Sequence, residues 1–138
     1  MSTTIAQILD RLDAILRANV LSGTQVFRDR MDPQSRDETP SINVIARDDT
    51  AAPYSAEFDR HEAVIELHIE VRDAVPTPLV EAQHAAVHTT IVRDTVLLGL
   101  CVSVRHLGAT FDRAEADLTA LVKVVQYRFT FLIPQDTL

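Results

Sequence analysis

The sequence predicts a single α+β domain over residues 1–138, with a mostly antiparallel sheet of four to five strands and two helices packed on one of its faces. Two observations indicate this class. The N-terminal segment places apolar residues at helical spacing, and two later segments alternate apolar with polar residues, as strands of a sheet do. In the predicted order α-β-β-β-α-β-β, packing both helices against one face is the simplest arrangement. A chain of 138 residues, 46% of them hydrophobic, can bury a core without disulfides.

The first predicted element is an amphipathic helix over residues 4–20. Its apolar stripe consists of Ile5, Ile8, Leu9, Leu12, Ile15 and Leu16. Thr4 and Gln7 match a capping box, in which side chains satisfy the first free amides of a helix. Asp13 and Arg17 lie one turn apart and are expected to pair on the outer face. The stripe needs an apolar surface to pack on, which a sheet supplies.

Short strands and long polar loops are predicted next. The strands cover residues 24–28 and 41–47, a loop over residues 29–40 joins them, and a second loop covers residues 48–60. Both loops contain proline and many polar residues, which is typical of exposed connections. Loops of about 12 residues are more often functional or disordered than accidental in a small domain. We therefore expect them to make contacts with other molecules.

The clearest predicted strand covers residues 61–73. One face carries Ala63, Ile65, Leu67, Ile69 and Val71, and the other carries Glu62, Glu66, His68, Glu70 and Arg72, with Val64 as its one apolar residue. A period of two with one charged face predicts a sheet that is covered on one side only. The charged face is left to solvent or to a partner.

The second predicted helix begins at Thr77 as its cap, with Pro78 in the first helical position. It is expected to run to about Leu98 and to end at Gly99, because glycine is the usual residue just past a helix. The adjacent strand is predicted over residues 100–107.

An acidic, polar connection over residues 109–118 and a long last strand over residues 119–133 complete the predicted domain. Both faces of this last strand are apolar near its start. A strand of this kind is usually interior in a sheet or covered by a neighbouring subunit.

The charge pattern argues against a nucleic-acid partner. The net charge is −7, and the arginines between residues 28 and 47 alternate with aspartates, so that no basic stripe forms. No apolar stretch reaches the roughly 18 residues needed to cross a bilayer, and the first residues lack the pattern of a signal peptide. We therefore expect no specific nucleic-acid partner and no membrane partner.

No catalytic, cofactor or metal site is predicted. His84 and His88 are four residues apart and share one helix face, but the residues between them lack the glutamate of a zinc-protease helix, and no nearby ligand completes a site. His68, between two glutamates, is expected to be salt-bridged. Cys101 lies in an apolar run and is expected to be a buried structural thiol.

Three segments resemble the tail-terminator and related minor tail proteins of long-tailed phages. The segment from His88 to Leu100, HTTIVRDTVLLGL, is similar to that family's passage from a histidine- or alanine-rich helix, through an aspartate, to a leucine-glycine turn into a strand. Asp94 and Leu98-Gly99 take those places, although Leu98 stands where a second glycine is expected. The acidic turn at Glu115-Ala116-Asp117 and the opening helix with the strand Val26-Phe27-Arg28 also resemble the family.

The resemblance implies a structural protein, not an enzyme, that forms a homo-oligomeric ring, typically a hexamer. The ring terminates the tail tube and provides the head-joining surface, so the implied partners are other copies of the chain, the tail-tube protein and a head-completion protein. The implied location is the virion tail, after assembly in the bacterial cytoplasm. Ring closure joins two different patches of the subunit. Opposite charge assigns Glu62, Glu66, Glu70 and Arg72 to one patch and Arg28, Arg30 and Arg47 to the other.

Two other classes of function remain as alternatives. One is a small dimeric α+β domain that binds a ligand or regulates, and a deep apolar pocket with converging polar groups would indicate it. The other is an enzyme with a carboxylate–histidine site at an oligomer interface, which a strongly perturbed titratable group in a cleft would indicate.

Overall fold

The computed structural model describes residues 3–20, 23–30, 40–114 and 117–136. Its elements are α1 (Thr4–Asn19), β1 (Gln25–Arg28), β2 (Ser41–Pro53), β3 (Phe58–Arg72), α2 (Pro76–Arg93), α3 (Thr95–Leu100), β4 (Ser103–Ala114) and β5 (Asp117–Pro134). The predicted α+β class and element order are confirmed, with α3 as an addition. The five strands form one sheet in the order β1-β2-β3-β5-β4. Only the β1–β2 pair is parallel.

The helices pack on one face of the sheet. The odd-numbered residues of β3 from His61 to Val71 and of β5 from Leu121 to Ile133 are buried on this face, together with most of the apolar stripe of α1. The even-numbered residues of both strands point the other way, and no helix of the described residues covers them. This second surface is called the open face. None of the helices in the described ranges is long and apolar enough to span a membrane.

Helix α1 begins one residue earlier than its predicted cap implies. The side chain of Thr3, not Thr4, accepts a hydrogen bond from the amide of Ala6 at 3.2 Å. Thr3 has the extended backbone that a cap residue needs, whereas Thr4 is already helical. The predicted pair of Asp13 and Arg17 is confirmed at 3.0 Å.

The predicted loop over residues 48–60 is wrong, because β2 and β3 continue through it as a hairpin. The ladder extends to the pair Pro53 and Asp59, with a bulge between Ala46 and Asp48. Every residue from Ala46 to Phe58 is exposed, so this segment lacks the apolar alternation by which a strand is recognised. Backbone hydrogen bonds, not burial, hold it extended. Residues 46–58 are called the outer hairpin.

The predicted single helix over residues 77–98 is divided at Asp94. Helix α2 begins at Pro76, which needs no amide hydrogen bond in the first turn, and ends at Arg93. Asp94 has an extended backbone and caps α3, since its Oδ2 accepts a hydrogen bond from the amide of Leu97 at 2.9 Å. Arg11 of α1 contacts the same carboxylate through two hydrogen bonds, at 2.9 and 2.7 Å.

The predicted connection over residues 109–118 is wrong as well. Strand β4 begins at Ser103, later than predicted, because Leu100 is still helical. It continues through residues 109–114 and pairs with β5 as far as Ala114 and Asp117. The prediction of an interior last strand is confirmed, because β5 lies between β3 and β4. Of the predicted loop over residues 29–40, residues 31–39 lie outside the described residues, as does most of the acidic turn at 115–117.

Candidate functional site

The predicted interface residues of β3 share one surface. Glu62, Glu66, Glu70 and Arg72 lie on the open face, while the odd-numbered residues between them are buried. The predicted alternation of this strand is therefore confirmed. Their role in an interface stays a prediction.

An ionic network on the open face is centred on Glu66, which is only 7% exposed. Its carboxylate accepts hydrogen bonds from Arg47 Nε at 2.7 Å, His68 Nε2 at 3.0 Å and Gln126 Nε2 at 2.8 Å. Burial alone raises the pKa of Glu66, but these hydrogen bonds and the charge of Arg47 outweigh it and lower the pKa to about 2. His68 contacts a neighbouring glutamate as predicted, although a salt bridge also requires a protonated ring.

Arg47 and Glu66 were assigned to opposite patches, yet they pair within one chain. The register of β2 against β3 places Ile45 opposite Glu66, and the bulge that follows brings Arg47 within reach of the carboxylate. Charge attraction between these two residues is therefore satisfied inside the subunit.

The other two arginines of the predicted basic patch lie at the β1 edge of the sheet. Arg28 Nη1 is 2.7 Å from Asp10 Oδ1 of α1. The guanidinium of Arg30 lies over the ring of Phe27, 4.7 Å from its centroid. The seven predicted residues thus fall in two regions, the β1 edge and the open face. At the β1 edge, Arg28 is already paired with the opposite charge of Asp10.

Three histidines meet on the helix-covered side of the sheet. His84 and His88 lie one turn apart on α2, and His106 comes from β4. The ring centroids are 6.0 Å apart for His84 and His88, 5.1 Å for His84 and His106, and 5.5 Å for His88 and His106. One nitrogen from each ring can be chosen so that all three lie within 4.8 Å of one another. These residues are called the histidine cluster.

The strand pairing explains how His106 reaches the cluster. His106 lies opposite Tyr127 of β5, and directly paired residues of antiparallel strands project to the same side. A bulge follows at Leu107, where Gly108 has a φ of 137°, a conformation that glycine adopts most readily. Tyr127 is buried beneath α2, and its hydroxyl is 2.8 Å from His88 Nδ1.

Two of the histidines have one ring nitrogen with a partner. His88 Nδ1 contacts Tyr127, and His84 Nδ1 lies 2.7 Å from Lys123 Nζ. The second nitrogen of His84, Nε2, is buried without a hydrogen-bond partner among the described residues. A buried ring nitrogen without a partner is costly, so it is a place where a ligand would be stabilising.

The surroundings of two of these rings, His84 and His106, favour the neutral form. Burial lowers the pKa of His84 to about 4, and the positive charge of Lys123 adds to this shift. The pKa of His106 is also lowered, first by burial and then by its interactions with His88 and Lys123. Burial raises the pKa of Tyr127, so its hydroxyl stays protonated. Neutral imidazoles are the form that binds metal ions.

An ion pair between a buried lysine and a half-exposed glutamate borders the cluster. Lys123 Nζ is 2.6 Å from Glu81 Oε1, and Lys123 is only 6% exposed. Glu81 also lines the cavity of about 220 Å³ that opens between the histidines and Ala85. The cavity therefore offers imidazole nitrogens and a carboxylate, with a lysine at its edge.

The sequence could not indicate His106 as a third member of the cluster. It lies 18 residues beyond His88, in another element, and its place depends on the register of β4 against β5. The only signal was His84 and His88 at a four-residue spacing, which was interpreted as an incomplete site. The pair Asp49 and His61, at 2.9 Å, is likewise created by the outer part of the hairpin.

The resemblance to tail proteins receives no independent support from comparison with known proteins, since no protein-family model matches the chain and no curated protein matches it significantly. The segment from His88 to Leu100 forms the end of α2, the break at Asp94 and α3, so that the strand follows only at Ser103.

Proposed function

We propose that the chain is a structural protein of a phage or prophage tail, which ends the tail tube as a homo-oligomeric ring and presents the surface that joins the tail to the head. The proposal takes its biological role from the resemblance described above. Its physical support is a sheet in which no described strand covers the outer part of β2 on one side or β4 on the other. Six copies is the number that the resemblance implies.

One edge is the outer part of β2. Strand β1 pairs with β2 only through Ser41–Val44, and the structure describes no strand beside residues 46–53 on that side. Tyr54 and Phe58 at the end of the hairpin are 61% and 36% exposed. An exposed edge with apolar residues at its end is a template for pairing with another chain.

The other edge is β4, which pairs only with β5 among the described residues. Leu107 and Phe111 on this strand are 40% and 52% exposed. Because β2 and β4 lie toward opposite sides of the sheet, pairing β2 of one copy with β4 of the next is a heterologous contact. Such contacts close into rings when the rotation between copies allows it. This is the observation on which the proposed ring rests.

The oligomeric state of the purified chain tests this arrangement. We expect native mass spectrometry and light scattering to detect a closed oligomer, and electron microscopy to show rings. Tyr54→Lys and Leu107→Lys, one at each edge, should each reduce the ring fraction at a given concentration. Val75→Lys is the matched control, since Val75 is 63% exposed, lies outside both edges, and gives the same change in charge.

The role in the tail requires a second experiment. Added to polymerising tail-tube protein from the same genome, the chain should give capped tubes of uniform length, whereas the Leu107→Lys variant should not. A monomer at all concentrations that leaves tube length unchanged would refute the proposal. A stable two-fold dimer would instead favour the ligand-binding or regulatory alternative.

A further inference from the structure

We propose that His84, His88 and His106 form a binding site for one divalent transition-metal ion, of the chemistry represented by Zn²⁺. Imidazole nitrogens are preferred ligands of zinc, copper and nickel, and three of them with an open position is a recurrent zinc arrangement. Two of the ligands come from one face of α2 and the third from β4, so the site joins the helix layer to the sheet. The inference is independent of ring formation.

The spacing of the three rings is close to that of a zinc site. Zinc–nitrogen bonds of about 2.0–2.1 Å in a tetrahedron place the nitrogens about 3.4 Å apart. The cluster nitrogens lie within 4.8 Å of one another, so the rings have to approach by up to about 1.4 Å. His106 is exposed and lies beside the bulge at Leu107, which leaves its side chain room to make this movement.

The surroundings of the rings already resemble the outer shell of a metal site. Ligating histidines usually have a hydrogen-bond partner at the ring nitrogen that faces away from the ion. Tyr127 provides such a partner for His88, whose Nδ1 is 2.8 Å from the Tyr127 hydroxyl. His84 Nε2, buried and without a partner among the described residues, is the nitrogen expected to bind the ion.

Lys123 opposes binding and gives the proposal its sharpest test. Its ammonium is 2.7 Å from His84 Nδ1, so this nitrogen accepts a hydrogen bond and Nε2 carries the proton. Binding a metal through Nε2 requires the proton to be on Nδ1, and Lys123 must then leave His84. It can remain paired with Glu81, whose carboxylate balances its charge at 2.6 Å.

The fourth coordination position faces the cavity of about 220 Å³. Glu81 lines this cavity and is half exposed, so its carboxylate or a water molecule can complete a tetrahedron.

Titration of the untagged, chelator-treated protein with Zn²⁺ by isothermal calorimetry tests the site. We expect one ion per chain, and Co²⁺ in its place should give the intense visible absorption of tetrahedral coordination. Because residues that merely orient metal ligands change affinity about 10- to 100-fold, His106→Ala should weaken binding at least about 100-fold. His106 is exposed, so this variant is expected to fold normally, which circular dichroism checks.

Two further variants separate the site from nonspecific binding. His68→Ala removes a histidine on the open face and should leave zinc affinity unchanged. Lys123→Met removes the opposing ammonium and should bind zinc more tightly than the parent chain. The proposal is overturned if the folded parent chain binds no Zn²⁺ or Co²⁺, or if His106→Ala binds as tightly as the parent, or if His68→Ala loses as much affinity as His106→Ala.

Discussion

Glu66 shows at the scale of a single residue how the open face is stabilised. Three hydrogen bonds to a largely buried carboxylate lower its pKa from 4.5 to about 2, which means that folding favours its ionised form. For a carboxylate with a lowered pKa, the stabilisation is complete above the pKa of the unfolded chain and is lost as the pH falls through the pKa of the folded chain. The relevant window therefore lies between about pH 4.5 and pH 2.

We expect Glu66→Gln to remove the part of the pH dependence of stability that Glu66 contributes in this window, while the part from Asp94, whose pKa is also lowered, remains. The difference of pKa corresponds to a contribution on the order of 3 kcal/mol to the free energy of unfolding at neutral pH. Urea denaturation from pH 2 to pH 7 measures it. Glu62→Gln is the matched control, because Glu62 lies on the same strand and face but has longer ion pairs, at 3.8 and 3.7 Å. Equal acid sensitivity of the parent chain and Glu66→Gln would contradict this account.

At the scale of elements, the break between α2 and α3 is stabilised by the side chain of Asp94. Asp94 caps α3 through the amide of Leu97 and receives two hydrogen bonds from Arg11 of α1, so one side chain at the end of α2 connects α1 to α3. The hydrogen bond with Arg11 lowers the pKa of Asp94 and raises that of Arg11. The side chain of Asp94 is only 10% exposed. Its direction is therefore fixed by both contacts.

Two substitutions separate the cap from the ion pair. Asp94→Ala removes both, whereas Asp94→Asn keeps a cap acceptor of similar strength and removes the charge. We expect Asp94→Asn to retain about 1 kcal/mol of the free energy of unfolding that Asp94→Ala loses, as measured by urea denaturation at pH 7. If the two variants are equally stable, the cap contributes nothing and the ion pair accounts for the whole loss.

The elements also show what the sequence can predict. The buried faces of β3 and β5 are predictable because every second residue of each strand is apolar. Helix α1 is predictable because its apolar residues recur at helical spacing. The outer hairpin could not be predicted from the sequence, because two exposed strands joined by backbone hydrogen bonds have no apolar alternation. The histidine cluster depends on strand register, and the Arg47–Glu66 pair on a bulge; neither is encoded in local spacing.

At the scale of the whole molecule, the net charge determines whether copies of the chain repel one another. Each copy carries a net charge of −7, so an oligomer of this chain gathers like charges. Two of the arginines that could offset this repulsion between copies, Arg28 and Arg47, already pair with Asp10 and Glu66 in their own subunit. If the edges β2 and β4 hold the ring, apolar and backbone contacts have to outweigh this repulsion.

Salt therefore distinguishes the two possible kinds of ring contact. Raising the NaCl concentration from 0.1 M to 1 M shortens the screening length from about 10 Å to about 3 Å, which weakens repulsion and attraction between exposed charges alike. With edge contacts we expect the ring fraction, measured by light scattering at fixed protein concentration, to rise with salt. Under the opposite-charge hypothesis it should fall, and Arg28→Glu combined with Arg30→Glu should abolish the ring. Dissociation of the ring at 1 M NaCl would thus indicate that the interface lies in the charged patches and not at the sheet edges.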